Sequence, residues 1–206
     1  AMTSSRRLAL KNIAGSAFLA SAGGLLTACQ PDKPQFKAID ITGADYAKGF
    51  ALTDFNGQPR TLQDFKGKAV VVFFGFTQCP DVCPTTMNEM AQVKKLLGTD
   101  GDKLQVVFIS IDPERDTPEV LKAYMGSFDP SFAGLYAASP DALAALPKDF
   151  KTYYKKVDGK TPTSYSMDHT AASYVYDPQG RLRLYARYGI GPQAMADDIR
   201  LLLKGQ

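Results

Sequence analysis

Two apolar runs do most to limit the folds open to this chain. Ala69–Phe74 (AVVVFF) and Leu104–Ile111 (LQVVFISI) are near-continuous stretches of β-branched and aromatic residues. A strand with one wet face alternates apolar and polar residues, whereas a strand without that alternation is covered on both faces. Between the runs, Thr86–Leu97 places Met87, Met90, Val93, Leu96 and Leu97 at helical spacing and ends near Gly98. Two buried strands joined through a helix read as a parallel pair with a crossover, so an α/β sheet with helices on its faces is predicted.

The flanking pattern extends that sheet. Phe50–Lys68 reads as a hairpin-like start with a turn at Asn56-Gly57. Thr117-Pro118 opens a helix through about Phe128, Phe132–Ala137 is a short strand, and Ser139-Pro140-Asp141 starts a helix to about Phe150. Lys151–Asp168 is read as a long loop. Ser173–Tyr176 and Leu182–Tyr188 form an antiparallel hairpin around Asp177-Pro178-Gln179-Gly180, and Pro192–Lys204 is a terminal helix. This order of elements is that of a thioredoxin-like fold, a mixed central sheet flanked by helices, over residues 46–206. A chain of 206 residues has room for one such domain plus an extension.

The extension is the N-terminal part. Arg6, Arg7 and Lys11 precede Ile13–Leu26, an apolar stretch rich in Ala, Gly and Ser that is shorter than the roughly 20 residues of a membrane-spanning helix. A basic segment followed by a short apolar one reads as an export signal over residues 1–28. It ends in Leu26-Thr27-Ala28-Cys29, which matches a lipoprotein cleavage site and implies lipid on the Cys29 sulfur. Ser5–Lys11 (SRRLALK) also resembles a twin-arginine motif with Ala9 in place of the usual Phe, so the export route stays open. Residues 29–45, with Pro31 and Pro34, then read as a lipidated Cys and a tether. These features predict a bacterial envelope protein facing the periplasm, anchored through Cys29, with the inner membrane favoured. The signal holds three basic residues and no acidic one, so it accounts for the whole excess of 24 basic over 21 acidic residues. The remaining chain lacks the basic excess of a nucleic-acid binder.

With Cys29 set aside, one cysteine pair remains, in GFTQCPDVCP, where a buried strand hands over to a helix. Outside the cytoplasm such a pair is a disulfide or a metal site. On a regular helix, i and i+4 Cβ atoms stand roughly 5–6 Å apart, whereas a disulfide wants about 3.5–4.5 Å. The spacing of Cys79 and Cys83 therefore suits two thiolates converging on one ion, although Pro80 and Pro84 make the segment irregular and a disulfide stays possible. Two packing cysteines are a poorer account of a pair at a strand–helix junction.

His169 is the chain's only histidine, and it lies just before the late hairpin. In a thioredoxin-like layout that junction returns beside the cysteine loop. Two thiolates and an imidazole suit copper in either oxidation state, with zinc the main competitor. Asp168 is a candidate acceptor for the ring's other nitrogen or else a solvated carboxylate. Met87 and Met167 are soft donors nearby in sequence, Met87 fitting the helix's core face better.

GFTQCPDVCPTT, ISIDPERDTPEVLKAY and Asp168-His169-Thr170 together resemble the Sco/SenC family over about residues 45–205. The resemblance implies a thioredoxin fold that binds one copper through Cys79, Cys83 and His169. It also implies a role in assembling the copper A centre of cytochrome c oxidase. The implied partners are the copper-bearing oxidase subunit and, beyond it, other periplasmic copper chaperones or thiol reductases. Asp112, Pro113 and Arg115 fall in the second motif and take no ligand role. The competing activity is thiol–disulfide exchange on cysteines of the oxidase subunit or of other exported proteins, with Cys79 attacking and Cys83 resolving. A peroxidase is disfavoured: Cys83-Pro84-Thr85 faintly resembles the peroxiredoxin motif, but Pro80 stands where that motif has Thr, and the Trp used by glutathione peroxidases is absent. Lys148, Lys151, Lys155, Lys156 and Lys160 form a basic stretch that could steer docking to an acidic surface.

Overall fold

The computed structural model describes residues 34–161 and 164–206. The expected export signal and Cys29 lie outside the described residues. In chain order the strands and helices are β1 (Ile39–Asp40), β2 (Ala51–Asp54), β3 (Pro59–Thr61), β4 (Ala69–Gly75), α1 (Val82–Leu97), β5 (Leu104–Ser110), α2 (Pro118–Gly126), β6 (Ala133–Tyr136), α3 (Pro140–Phe150), β7 (Tyr154–Val157), β8 (Ser166–His169), β9 (Ala172–Tyr176), β10 (Leu182–Arg187) and α4 (Pro192–Leu203). Eight strands form one sheet in the order β1-β10-β9-β4-β5-β6-β2-β3. β4, β5 and β6 run parallel, while β9 and β10 add antiparallel strands on the other side of β4. The fold is thioredoxin-like.

The two apolar runs behave as their composition demands: every residue of β4 and of β5 is buried. Leaving no wet face, they form the centre of the sheet. α1 turns Cys83, Met87, Met90, Val93 and Leu97 inward and packs on α4. Its start is Val82, four residues earlier than the spacing of apolar residues suggested. Pro84 is tolerated there because an N–H in the first turn has no helical partner to lose. α2 and α3 begin as predicted: the Thr117 and Ser139 hydroxyls accept N–H bonds from Val120 and Ala142, with Pro next in each case.

Two segments depart from the sequence reading. The tether was expected to reach Asp45, yet β1 pairs antiparallel with β10, and the Lys37 and Ala38 N–H groups donate to the buried Asp198 carboxylate at 2.8 and 2.7 Å. A carboxylate shut inside α4's packing needs donors, and the two residues leading into β1 supply them from about 160 residues away. The stretch read as the loop Lys151–Asp168 instead contains a separate two-stranded sheet, β7 with β8, in the register Tyr154↔His169 to Val157↔Ser166. Its Lys-Lys and Ser-Met-Asp residues carry no apolar alternation. The pairing is made by backbone hydrogen bonds and by side chains that reach other elements. One of these exploits a proline: Pro147 lacks the N–H that would bond the Leu143 carbonyl, and the Tyr154 hydroxyl donates to that oxygen at 3.4 Å. Another is Lys156, which pairs with Glu114 at 2.7 Å and sits 3.8 Å from the Tyr165 ring, so it belongs to this packing and not to a free basic face. Among the described residues no helix is long and apolar enough to cross a membrane.

Candidate metal centre

The site forms where the sheet's two chain directions meet. β9 runs antiparallel to β4, with Phe73 opposite Ser173. The end of β4, which leads into the cysteine loop, therefore lies beside the start of β9, which follows His169 by three residues. Cys79 sits in the loop after β4, Cys83 is the second residue of α1, and His169 ends β8. The Sγ atoms of Cys79 and Cys83 and a ring nitrogen of His169 all lie within 4.8 Å of one another, and His169 Nε2 is 3.6 Å from Cys83 Sγ. The three residues read as ligands from the sequence are thus brought together. Cys79 is half-buried and Cys83 fully buried. The cleft over them has a volume of about 220 Å³ and is lined by Phe76, Cys79, Val82, Met167 and His169 among others. A larger groove of about 590 Å³, lined by Tyr46, Arg181 and Arg183 among others, holds none of these donors.

The histidine ring is set by its neighbours. Nδ1 lies 3.2 Å from the Thr170 carbonyl oxygen, which can only accept, so the ring proton belongs on Nδ1 and the Nε2 lone pair faces the cysteines. Phe73 and Phe76 meet the ring edge-on at 5.9 and 6.0 Å. Asp168 does not play the orienting part considered from the sequence. It alternates with His169 along β8 and is exposed, and the backbone of Thr170 takes the role. Met87 is wholly buried in the core, whereas Met167 lines the cleft.

The two thiols differ in chemistry. The Cys83 S–H directed at Cys79, together with the N–H groups of Asp81 and Cys83, pulls the Cys79 thiol down to about 5 against the opposing effect of burial. The Cys83 N–H lies 3.4 Å from the Cys79 sulfur. Cys83 is pushed far above the usual thiol range, because its proton is held by Cys79 and because it is buried. The first proton lost thus leaves a thiolate at the solvent-facing sulfur. In the metal-free protein, Cys79 is expected to react with iodoacetamide at neutral pH, the rate falling as pH drops through a midpoint of about 5, with Cys83 protected. A single midpoint near the ordinary thiol value of about 8.5 would refute this.

Residues without an assigned role in the sequence reading hold the site's shape. Asp116, 2% exposed, accepts from the Thr77 N–H at 3.1 Å, the Thr77 hydroxyl at 2.6 Å and the Ser110 hydroxyl at 2.6 Å, which pins the cysteine loop to the end of β5. Burial pushes its carboxyl above the usual range, against the pull of those donors. Gly75 ends β4 where a Cβ would stand 2.9 Å from Cys83 Sγ and 2.7 Å from the Phe108 ring. Its signal was visible, since a glycine closing an apolar strand marks a bulge or a close approach.

The SCO1/SenC family model matches residues 40–204. A SCO2-like protein of Rickettsia felis is 36% identical over 160 residues, covering 76% of this chain and 78% of its own. Bradyrhizobium japonicum ScoI, solved with copper bound, is 42% identical with a TM-score of 0.68, covering 75% of this chain and 97% of its own. Yeast Sco1, also solved with copper bound, is 31% identical with a TM-score of 0.69, covering 77% and 88% respectively. A family match that spans nearly every described residue, on the same fold, places this chain in the SCO1/SenC family.

Proposed function

We propose that this chain binds one copper ion through Cys79, Cys83 and His169 and supplies it during assembly of the copper A centre of cytochrome c oxidase. The observation that carries the reading is the convergence of two sulfurs and one imidazole nitrogen within 4.8 Å. Thiolate suits Cu(I) and imidazole suits copper in both states. The exposure pattern fits a cargo site. Cys79 is the reachable sulfur, so a target thiolate would displace it first, then Cys83, with His169 releasing last or together with it. Copper-bound relatives support the choice of metal over zinc. The reading includes a periplasm-facing chain held to the membrane by lipid on Cys29. Mass spectrometry of the membrane-extracted protein tests that anchor: a diacylglyceryl adduct on Cys29, lost in Cys29→Ala, is expected, and an unmodified Cys29 would overturn it.

The deciding experiment is copper titration of residues 30–206 followed by absorption and electron paramagnetic resonance. One copper per chain is expected, with affinity lowered at least about a hundredfold in Cys79→Ser and Cys83→Ser and about tenfold or more in His169→Ala. Tight copper retained in all three variants would overturn the site.

A second reading is favoured by the split between the two thiols. The Cys79 thiolate would attack a target disulfide, forming a mixed disulfide and releasing one target thiolate. Cys83, on losing its proton, would attack the Cys79 sulfur, closing a Cys79–Cys83 disulfide and releasing the second target thiolate. This chemistry makes no use of His169. Full cellular activity of His169→Ala would favour exchange over copper delivery.

A further inference from the structure

One polar bridge joins the two halves of the site without touching a donor atom. Asp112, 2% exposed, follows β5. Its Oδ1 accepts the Tyr165 hydroxyl at 2.6 Å, and its Oδ2 accepts from Arg115 Nε at 2.5 Å, with Nη2 equally close. Arg115 Nη1 donates to the Tyr165 carbonyl at 2.8 Å and to Gln78 Oε1 at 3.1 Å. The guanidinium stacks 3.5 Å above the Tyr165 ring and lies 5.8 Å from the Phe76 ring. Phe76 in turn meets His169 edge-on. A single side chain therefore grips the cysteine loop at Phe76 and Gln78, and the histidine hairpin at Tyr165.

The hairpin needs such a grip. Among the described residues β7 and β8 pair only with each other and stand outside the main sheet. The two-residue link from His169 to β9 and the buried Met167 fix one end of the hairpin. The rest of its position relative to the cysteines is set by side chains: the Tyr154 hydroxyl at one point, Lys156 with exposed Glu114 at another, and Arg115 at a third. The Arg115–Asp112 pair is the best shielded of the ion pairs that hold the hairpin, at 14% and 2% side-chain exposure against 41% and 65% for Lys156–Glu114. Shielded, forked guanidinium contacts hold geometry where exposed lysine pairs do not.

Resting on the copper reading above, we propose that Arg115 is a positioning residue: a strut, seated on Asp112 and Tyr165, that holds His169 over the cysteine pair before metal arrives. It thereby decides whether copper meets three donors or two sulfurs. Two thiolates alone satisfy Cu(I), whereas Cu(II) draws more on the imidazole, so loss of the strut weakens Cu(II) and largely spares Cu(I).

The test compares the wild-type chain with Arg115→Ala, Arg115→Lys, Tyr165→Phe and His169→Ala. In the metal-free proteins, amide hydrogen exchange within Tyr154–His169 is expected to quicken about tenfold in Arg115→Ala, while β4 and β5 amides keep their protection. Cu(II) affinity is expected to fall about tenfold, with the thiolate–copper absorption moving toward that of His169→Ala, and Cu(I) affinity to stay within about threefold. Arg115→Lys keeps the charge without the fork and should not restore the wild-type spectrum. Tyr165→Phe, which removes one hydroxyl and keeps the fold's apolar contacts, should move in the same direction by a smaller step. Unchanged hairpin exchange and Cu(II) spectrum in Arg115→Ala would overturn the strut, as would exchange that quickens equally in β4 and β5. A wild-type chain that takes up no copper would overturn the metal reading instead, and the exchange data, collected without metal, would still judge the strut.

Discussion

Asp116→Ala is expected to lower stability by about 2 to 4 kcal/mol at neutral pH. The carboxylate, itself 2% exposed, accepts three donors: the Thr77 N–H, the Thr77 hydroxyl and the Ser110 hydroxyl. Alanine removes their shared acceptor, and each buried group left unsatisfied costs about 1 to 3 kcal/mol before relaxation. The change also frees Thr77, two residues before Cys79, so copper affinity should fall with stability. The pH dependence carries a definite sign. Burial raises the Asp116 carboxyl above its ordinary value of 3.8, so the folded state holds this proton more tightly than the unfolded chain does. This proton-linked contribution, separate from the hydrogen bonds that the ionised carboxylate accepts at neutral pH, therefore grows as pH falls toward 3.8 and is lost as pH rises through the raised value. Urea denaturation across that range checks both parts. A midpoint at pH 7 within the equivalent of about 0.5 kcal/mol of wild type would refute the pinning role.

Gly75→Ala is expected to cost about 1 to 3 kcal/mol and to loosen copper about tenfold or more. The added Cβ would stand 2.7 Å from Phe108 Cε2 and 2.9 Å from Cys83 Sγ. β4 cannot shift to relieve this, since it is paired on both sides, with β5 and with β9, and Gly75's carbonyl also accepts the Ile111 N–H at 2.9 Å. The strain must fall on the Phe108 ring or on the Cys83 sulfur, and moving that sulfur alters the donor set. Thermal denaturation together with the thiolate–copper spectrum reads both effects. A variant with wild-type melting and spectrum would show that the close approach is absorbed elsewhere.

The parts of the site differ in how far they could be read from sequence. Cys79 and Cys83 were legible because they are four residues apart at the end of an unmistakable strand, so local geometry already sets them near each other. His169 was legible because it has no rival in the chain. Asp168 stood open in the sequence between an orienting acceptor and a solvated carboxylate; adjacent strand residues point to opposite faces, so it is exposed, and the orienting oxygen is the backbone of Thr170. Arg115 and Asp116 were visible as a motif without a role. Their partners, Tyr165 and Thr77, lie 50 and 39 residues away in the chain.

The same division holds for the whole molecule. Residue type and period by themselves determined the two central strands, the helix between them, the proline-started helices and the late hairpin, because each carries a local signal: an unbroken β-branched and aromatic run, apolar residues at helical spacing, a proline-led start or a turn sequence. They also determined the donor chemistry, since two cysteines and one histidine are what the chain contains there. Only the tertiary structure decided that β1 closes the sheet's edge on β10 while the residue before it bonds Asp198, that a polar, lysine-bearing segment pairs as β7 and β8, and that this hairpin is clamped beside the cysteine loop. The β7–β8 pairing joins residues 9 to 15 positions apart that carry no apolar alternation, and the other two outcomes rest on hydrogen bonds between residues 37 to 160 positions apart, whose strength comes from shielding by the folded core and has no local pattern in the sequence to announce it.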